Sequence, residues 1–175
     1  MGMYQNGRYS HNWNQKGRNV VCVDDSMLRN SGGTVYSPSG IPFATPEKNE
    51  NLACVSIFER FPTEMTVSLD GHGDELAIMF VASSCCLHTA VEGVRITVSY
   101  ADGTSEATSL VYPESLDDWL TSALTTKAEI FYFSDFNHAT VKKVRLSSEK
   151  ELKSVKIEAV ANELIFGVAG ISISR

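Results

Sequence analysis

Residues 94–104 read Val-Arg-Ile-Thr-Val-Ser-Tyr-Ala-Asp-Gly-Thr, and the fold class turns on them. Val94, Ile96, Val98 and Tyr100 alternate with Arg95, Thr97 and Ser99, the period of two that a half-buried antiparallel strand requires. Ala101-Asp102-Gly103-Thr104 then reverses the chain, because Gly103 accepts the positive φ of a tight hairpin. The same alternation recurs on both sides. Met65, Val67 and Leu69 alternate with Thr66 and Ser68; Val155, Ile157 and Ala159 with Lys156 and Glu158; Ile171 and Ile173 with Ser172 and Ser174. Turn signals separate them at Asp70-Gly71-His72-Gly73 and in the polar stretch 147–151.

Residues 76–82 are the longest purely apolar run, seven residues, and read as a strand buried on both faces or at the centre of a sandwich. Counted this way the chain holds about nine to ten strands at spacings of about 8–12 residues, with no internal repeat. That pattern predicts an all-β antiparallel β-sandwich, with jelly roll as the favoured topology. One short helix is expected in Pro113-Glu114-Ser115-Leu116-Asp117-Asp118-Trp119-Leu120. Acids crowd its first turn, and Leu116, Trp119 and Leu120 share a face that would pack as a lid on the sheet.

The 175 residues suit one domain able to fold without a metal or disulfide. Residues 19–175 are assigned to a single β-sandwich, and residues 1–18, rich in Asn, Gly and Gln, to a flexible N-terminal arm. The segment 30–51 is a long Gly- and Pro-bearing loop, a kind that often carries function. Fifteen Lys and Arg against 21 Asp and Glu leave a formal charge of -6 and no basic cluster, so no nucleic-acid partner is expected. No membrane span is expected either, since seven apolar residues fall far short of about 20. No signal-peptide stretch opens the chain; a periplasmic or extracellular setting is expected if the chain is part of a longer secreted protein. Cys22 and Cys54 sit in apolar runs and read as buried thiols, and Cys85-Cys86 as packed rather than as a vicinal disulfide.

Nothing in the sequence spells out a catalytic set. There is no Gly-x-Ser-x-Gly elbow, and His11, His72, His88 and His138 are scattered. Glu75, Glu106, Glu114, Asp117, Asp118 and Asp135 read as turn and cap carboxylates rather than a glycosidase pair. No resident metal or cofactor is expected; the one opening left for a structural Ca2+ is Asp24-Asp25, otherwise loop acids. The chain therefore reads as a non-enzyme.

A sugar ring needs an aromatic platform beside planar hydrogen-bonding groups. Three places offer that: Trp13 within His11-Asn12-Trp13-Asn14, Tyr36 in the long loop, and Phe136, Asn137 and His138 after Asp135. Each has a structural alternative. Trp13 could anchor the arm, Tyr36 cover a core edge, and Phe136 plug the sandwich while Asn137 and His138 satisfy turn backbone groups. Trp119, with its helical neighbours, reads as core.

Several segments also read together. These are Gly40-Ile41-Pro42-Phe43, Val98-Ser99-Tyr100-Ala101-Asp102-Gly103-Thr104, the stretch 110–119 ending Leu-Asp-Asp-Trp, Asn137-His138-Ala139, Lys150-Glu151-Leu152-Lys153-Ser154-Val155 and the closing 167–173. Their order resembles the galactose-binding-like jelly-roll accessory domains attached to large saccharolytic proteins of polysaccharide-degrading bacteria, over residues 20–175. The resemblance implies a noncatalytic β-sandwich that binds an oligo- or polysaccharide at one loop end, or that braces a neighbouring catalytic domain.

Overall fold

The computed structural model describes residues 9–10, 20–21, 26–45, 52–57, 61–84, 90–119, 125–133, 137–162 and 164–175. Of the region assigned to an arm, Tyr9–Ser10 (β1) is described, paired antiparallel with Val20–Val21 (β2). Trp13 and Phe136, and with them Asp24-Asp25, Cys22 and Cys85-Cys86, lie outside the described residues.

The apolar run at 76–82 becomes Glu75–Ser84 (β7), the central strand of a five-stranded sheet. Its neighbours are His138–Arg145 (β11) and Leu164–Ser174 (β13), flanked by Glu129–Tyr132 (β10) and Ala53–Val55 (β5), in the order β10-β11-β7-β13-β5. The alternating segments form the second sheet. Glu64–Ser68 (β6), Leu152–Ala159 (β12), Glu92–Tyr100 (β8) and Ser105–Val111 (β9) lie in the order β6-β12-β8-β9. All pairings are antiparallel. With β10 set aside as an added edge, β11-β7-β13-β5 against β6-β12-β8-β9 is the strand order of a jelly roll.

The period of two explains both sides of β7. Leu76, Ile78, Phe80 and Ala82 enter the core between the sheets with Val94, Ile96, Val98 and Tyr100, all of them buried. Ala77, Met79 and Val81 point the other way and are buried as well. That outer face is covered by a third layer, the hairpin of Thr34–Tyr36 (β3) and Pro42–Ala44 (β4) with the single helical turn Ser26–Arg29 (α1). Leu28, Val35, Phe43, Trp119, Phe131 and Phe133 fill this second core. A strand with apolar cover on both sides has no reason to alternate, and this one does not.

Of the helix expected at 113–120, the described residues 113–119 form none. Ser115 N–H returns to Val111 C=O in a tight turn, and the chain then runs through the sheet end. Trp119 N–H donates to Ala82 C=O, and His138 N–H donates to Trp119 C=O. Trp119 is thus wedged between the ends of β7 and β11, beyond their last pair, Thr140 with Phe80. A segment of eight residues cannot repay helix nucleation alone, and the backbone groups of Trp119 are satisfied by strand ends instead. The one described helix is α1, elsewhere in the chain.

Candidate functional site

Hairpin β3–β4 is built to hold one face down. Its turn closes with Ser37 N–H on Ile41 C=O at 2.9 Å and Gly40 N–H on Ser37 C=O at 2.8 Å, with Gly40 at φ 85°. The Ser37 hydroxyl also accepts from Ile41 N–H. Register pairs Val35 with Phe43, both buried, so they share the inner face. Phe43 lies against Gly170 of β13, where an added Cβ would come within 3.1 Å of the ring. At the tip, Ser39 N–H donates to Glu129 Oε2 at 3.2 Å, tying the hairpin to β10. The hairpin therefore crosses the sheet from β13 to β10.

Tyr36 and Pro42, paired across the hairpin, are left exposed, and Tyr36 is 63% accessible. Beside the tip, Lys143 Nζ sits 2.8 Å from Glu129 Oε1. Partial burial pushes the Glu129 carboxyl up, but Lys143 and the Ser39 N–H outweigh it and hold the group below its usual value. Lys143 is raised in turn by Glu129. The ion pair stays charged at neutral pH and places an acceptor and a donor at the tip of the hairpin that carries Tyr36.

A second polar group is enclosed at the sheet end. Asp117, Asp118, Asn137 and His138 are all buried, His138 to 1%. Asp117 Oδ1 accepts from Asp118 N–H and Oδ2 from the Thr125 hydroxyl. Neither ring nitrogen of His138 makes a hydrogen bond; the ring packs on Tyr132 with centroids 5.7 Å apart. Burial pulls the His138 pKa down, against an opposing pull from the Asp117 charge. Asp117 does not orient this imidazole as a triad carboxylate would, since no hydrogen bond joins them. Among the described residues, no three His, Cys, Asp or Glu side chains form a group able to hold a metal ion.

The residues singled out for a sugar site are therefore separated. Tyr36 stands on an exposed face, whereas Asn137 and His138 are enclosed and share no exposed surface with it. Trp119 is core, 2% exposed, and lines a small apolar crevice with Leu52, Cys54, Val81 and Ile165. Glu129, Lys143 and the 56% exposed Tyr132 were not singled out. Residues 130–133 are a continuous aromatic and apolar run that does not mark Tyr132 as exposed, and nothing local brings Ser39 to Glu129 across 90 residues.

No family model matches the chain, and no curated protein matches it. Among solved structures, it is similar to Pseudomonas aeruginosa AlgX at a TM-score of 0.31 and 16% identity. The match covers 67% of this chain and 28% of that one, and a likeness this slight carries no argument.

Proposed function

We propose that the chain is a noncatalytic carbohydrate-binding module whose ligand lies on the outer face of hairpin β3–β4. One observation carries this reading: an aromatic ring with 63% of its surface in water, on a hairpin whose opposite face is pinned into a core. Folding explains Val35 and Phe43, which exclude water from the sheet, but it does not explain Tyr36. A preorganised aromatic face suits the C–H face of a pyranose and loses little entropy on binding. The Glu129–Lys143 pair and the Ser39 hydroxyl, which is 3.1 Å from the Ser37 hydroxyl, supply acceptor and donor groups for ring hydroxyls at the hairpin tip. Asn137 and His138 take no part in this version of the site. The setting in which it would act is a larger saccharolytic assembly outside the cytoplasm.

Affinity gels containing a panel of neutral and acidic polysaccharides test it. The wild-type chain is expected to be retarded by at least one, and Tyr36→Ala to weaken that retention about tenfold or more, worth about 1.4 kcal/mol. Equal mobility in every gel overturns the proposal.

A further inference from the structure

Strand β9 ends the four-stranded sheet, and its hydrogen-bond phase can be worked out. Tyr100 N–H donates to Thr104 C=O across the hairpin, and the register keeps Val98 opposite Glu106 and Ile96 opposite Thr108. In an antiparallel ladder the bonded pairs alternate, so Glu106, Thr108 and Leu110 spend their backbone groups on β8. Ser105, Ala107, Ser109 and Val111 turn theirs outward. At Val111 both outward groups are taken: its N–H donates to the Ser115 hydroxyl and its C=O accepts from Ser115 N–H. Ser105, Ala107 and Ser109 remain, all exposed, as an open edge ending in a cap.

The other sheet edges are shorter or guarded. β5 has three residues and β10 four, and just before β10 the Lys127 C=O accepts from Lys142 Nζ of β11. β6 has five, with the exposed Glu64 at its start and Pro62 just before it. β9 has seven residues and carries no Lys, Arg or Pro. Its one charge, Glu106, is already engaged, accepting from the Tyr100 hydroxyl at 3.0 Å and the Ser147 hydroxyl at 2.6 Å. Natural sheets usually blunt such an edge with a lysine, a proline or a bulge.

We propose that this edge pairs with the same edge of a second copy, antiparallel about a two-fold axis through Ala107, joining two four-stranded sheets into one of eight. The edge is self-complementary in that register. Ala107 meets Ala107 of the second copy, the smallest contact available on the strand, so the backbones can close to about 4.8 Å. Ser105 meets Ser109 on the same face, and Glu106 meets Thr108 on the other. No like charges oppose, and Glu106 faces a hydroxyl donor. An isologous contact of this kind closes on itself and leaves no free β9 edge. The hairpin β3–β4 lies on the other sheet, so the pairing does not depend on the sugar-binding proposal.

Sedimentation velocity of the full chain from about 5 to 500 μM reads the result. The wild type is expected to show a concentration-dependent monomer–dimer equilibrium. Ala107→Lys places two ammonium groups at the axis and should weaken the dimer at least tenfold, with the melting temperature of the dilute monomer unchanged, since Ala107 is exposed and gives no backbone bond to β8. Thr66→Lys, on the β6 edge, should leave the dimer intact. Under mild oxidation Ala107→Cys should form a disulfide-linked dimer well above the wild-type background, and Thr66→Cys should not. A wild type monomeric throughout, or a dimer indifferent to Ala107→Lys, overturns the proposal. So does a cross-link at position 66 that outpaces the one at 107.

Discussion

His138 is 1% exposed, bears two ring nitrogens without hydrogen bonds, and rests against Tyr132 within reach of the Asp117 charge. Burial disfavours the imidazolium and wins over Asp117, so the folded pKa lies below the ordinary 6.5. The unfolded chain then binds a proton that the native chain refuses. Stability contributed by the neutral imidazole is complete above about pH 6.5 and is lost as the pH falls below it toward the folded pKa, by at most about 1.4 kcal/mol per pH unit. Urea midpoints measured between pH 7.5 and 5 should fall more steeply for the wild type than for His138→Leu, which keeps the volume and removes the titration. Parallel slopes would show that His138 is not the buried base described. Tyr36 is the opposite case, an aromatic residue on which folding places no demand. In the sequence both residues read as ligand candidates, because a ring flanked by polar turn residues looks the same whether it is enclosed or exposed.

The hairpin β3–β4 shows how an element takes its position from one contact. Residues 30–51 read as a long loop because Gly and Pro punctuate them, and the place of the hairpin over the outer face depends on Gly170, which lets the Phe43 ring lie directly on β13. Gly170→Val should force the ring up, destabilising the fold by about 1–3 kcal/mol as overpacking does. It should also reduce polysaccharide retention in parallel with Tyr36→Ala, if the sugar lies on that hairpin. Thermal melts and affinity gels on the same variant read both effects. The segment 112–119 makes the complementary point. Leu116 and Trp119 have helical spacing, yet Leu116 enters the core between the sheets and Trp119 the core outside them. Spacing of three and four describes a shared face only when the backbone is helical, and strand ends claimed that backbone first.

At the scale of the molecule, the five-stranded sheet carries a core on each side, and the two should not weigh equally. Phe80 and Phe166 stack with centroids 4.5 Å apart between the sheets, where both layers are long strands. The outer core is closed by a three-residue hairpin strand on each arm and one helical turn. Phe166→Ala should cost about 3–5 kcal/mol in global unfolding. Phe43→Ala should instead act locally, speeding amide exchange in β3 and β4 while β7 and β13 keep their protection. Uniform loss of protection in both variants would mean that the layers unfold as one unit.

The sandwich was readable from sequence because strand alternation is local: successive side chains point to opposite faces by covalent geometry, so Val94, Ile96, Val98 and Tyr100 declare an inner face wherever the strand lies. The continuous run at β7 read as a strand buried on both faces or at the centre of a sandwich, and β7 is central with both faces covered. Sequence could not say what covers the second one, nor that Asn137 and His138 are enclosed while Tyr36 is not. Those outcomes depend on which distant segments arrive: Ser39 at Glu129, Phe43 at Gly170, Trp119 between β7 and β11. Burial of a polar or aromatic residue is a property of contacts between elements, and only the tertiary structure decides them.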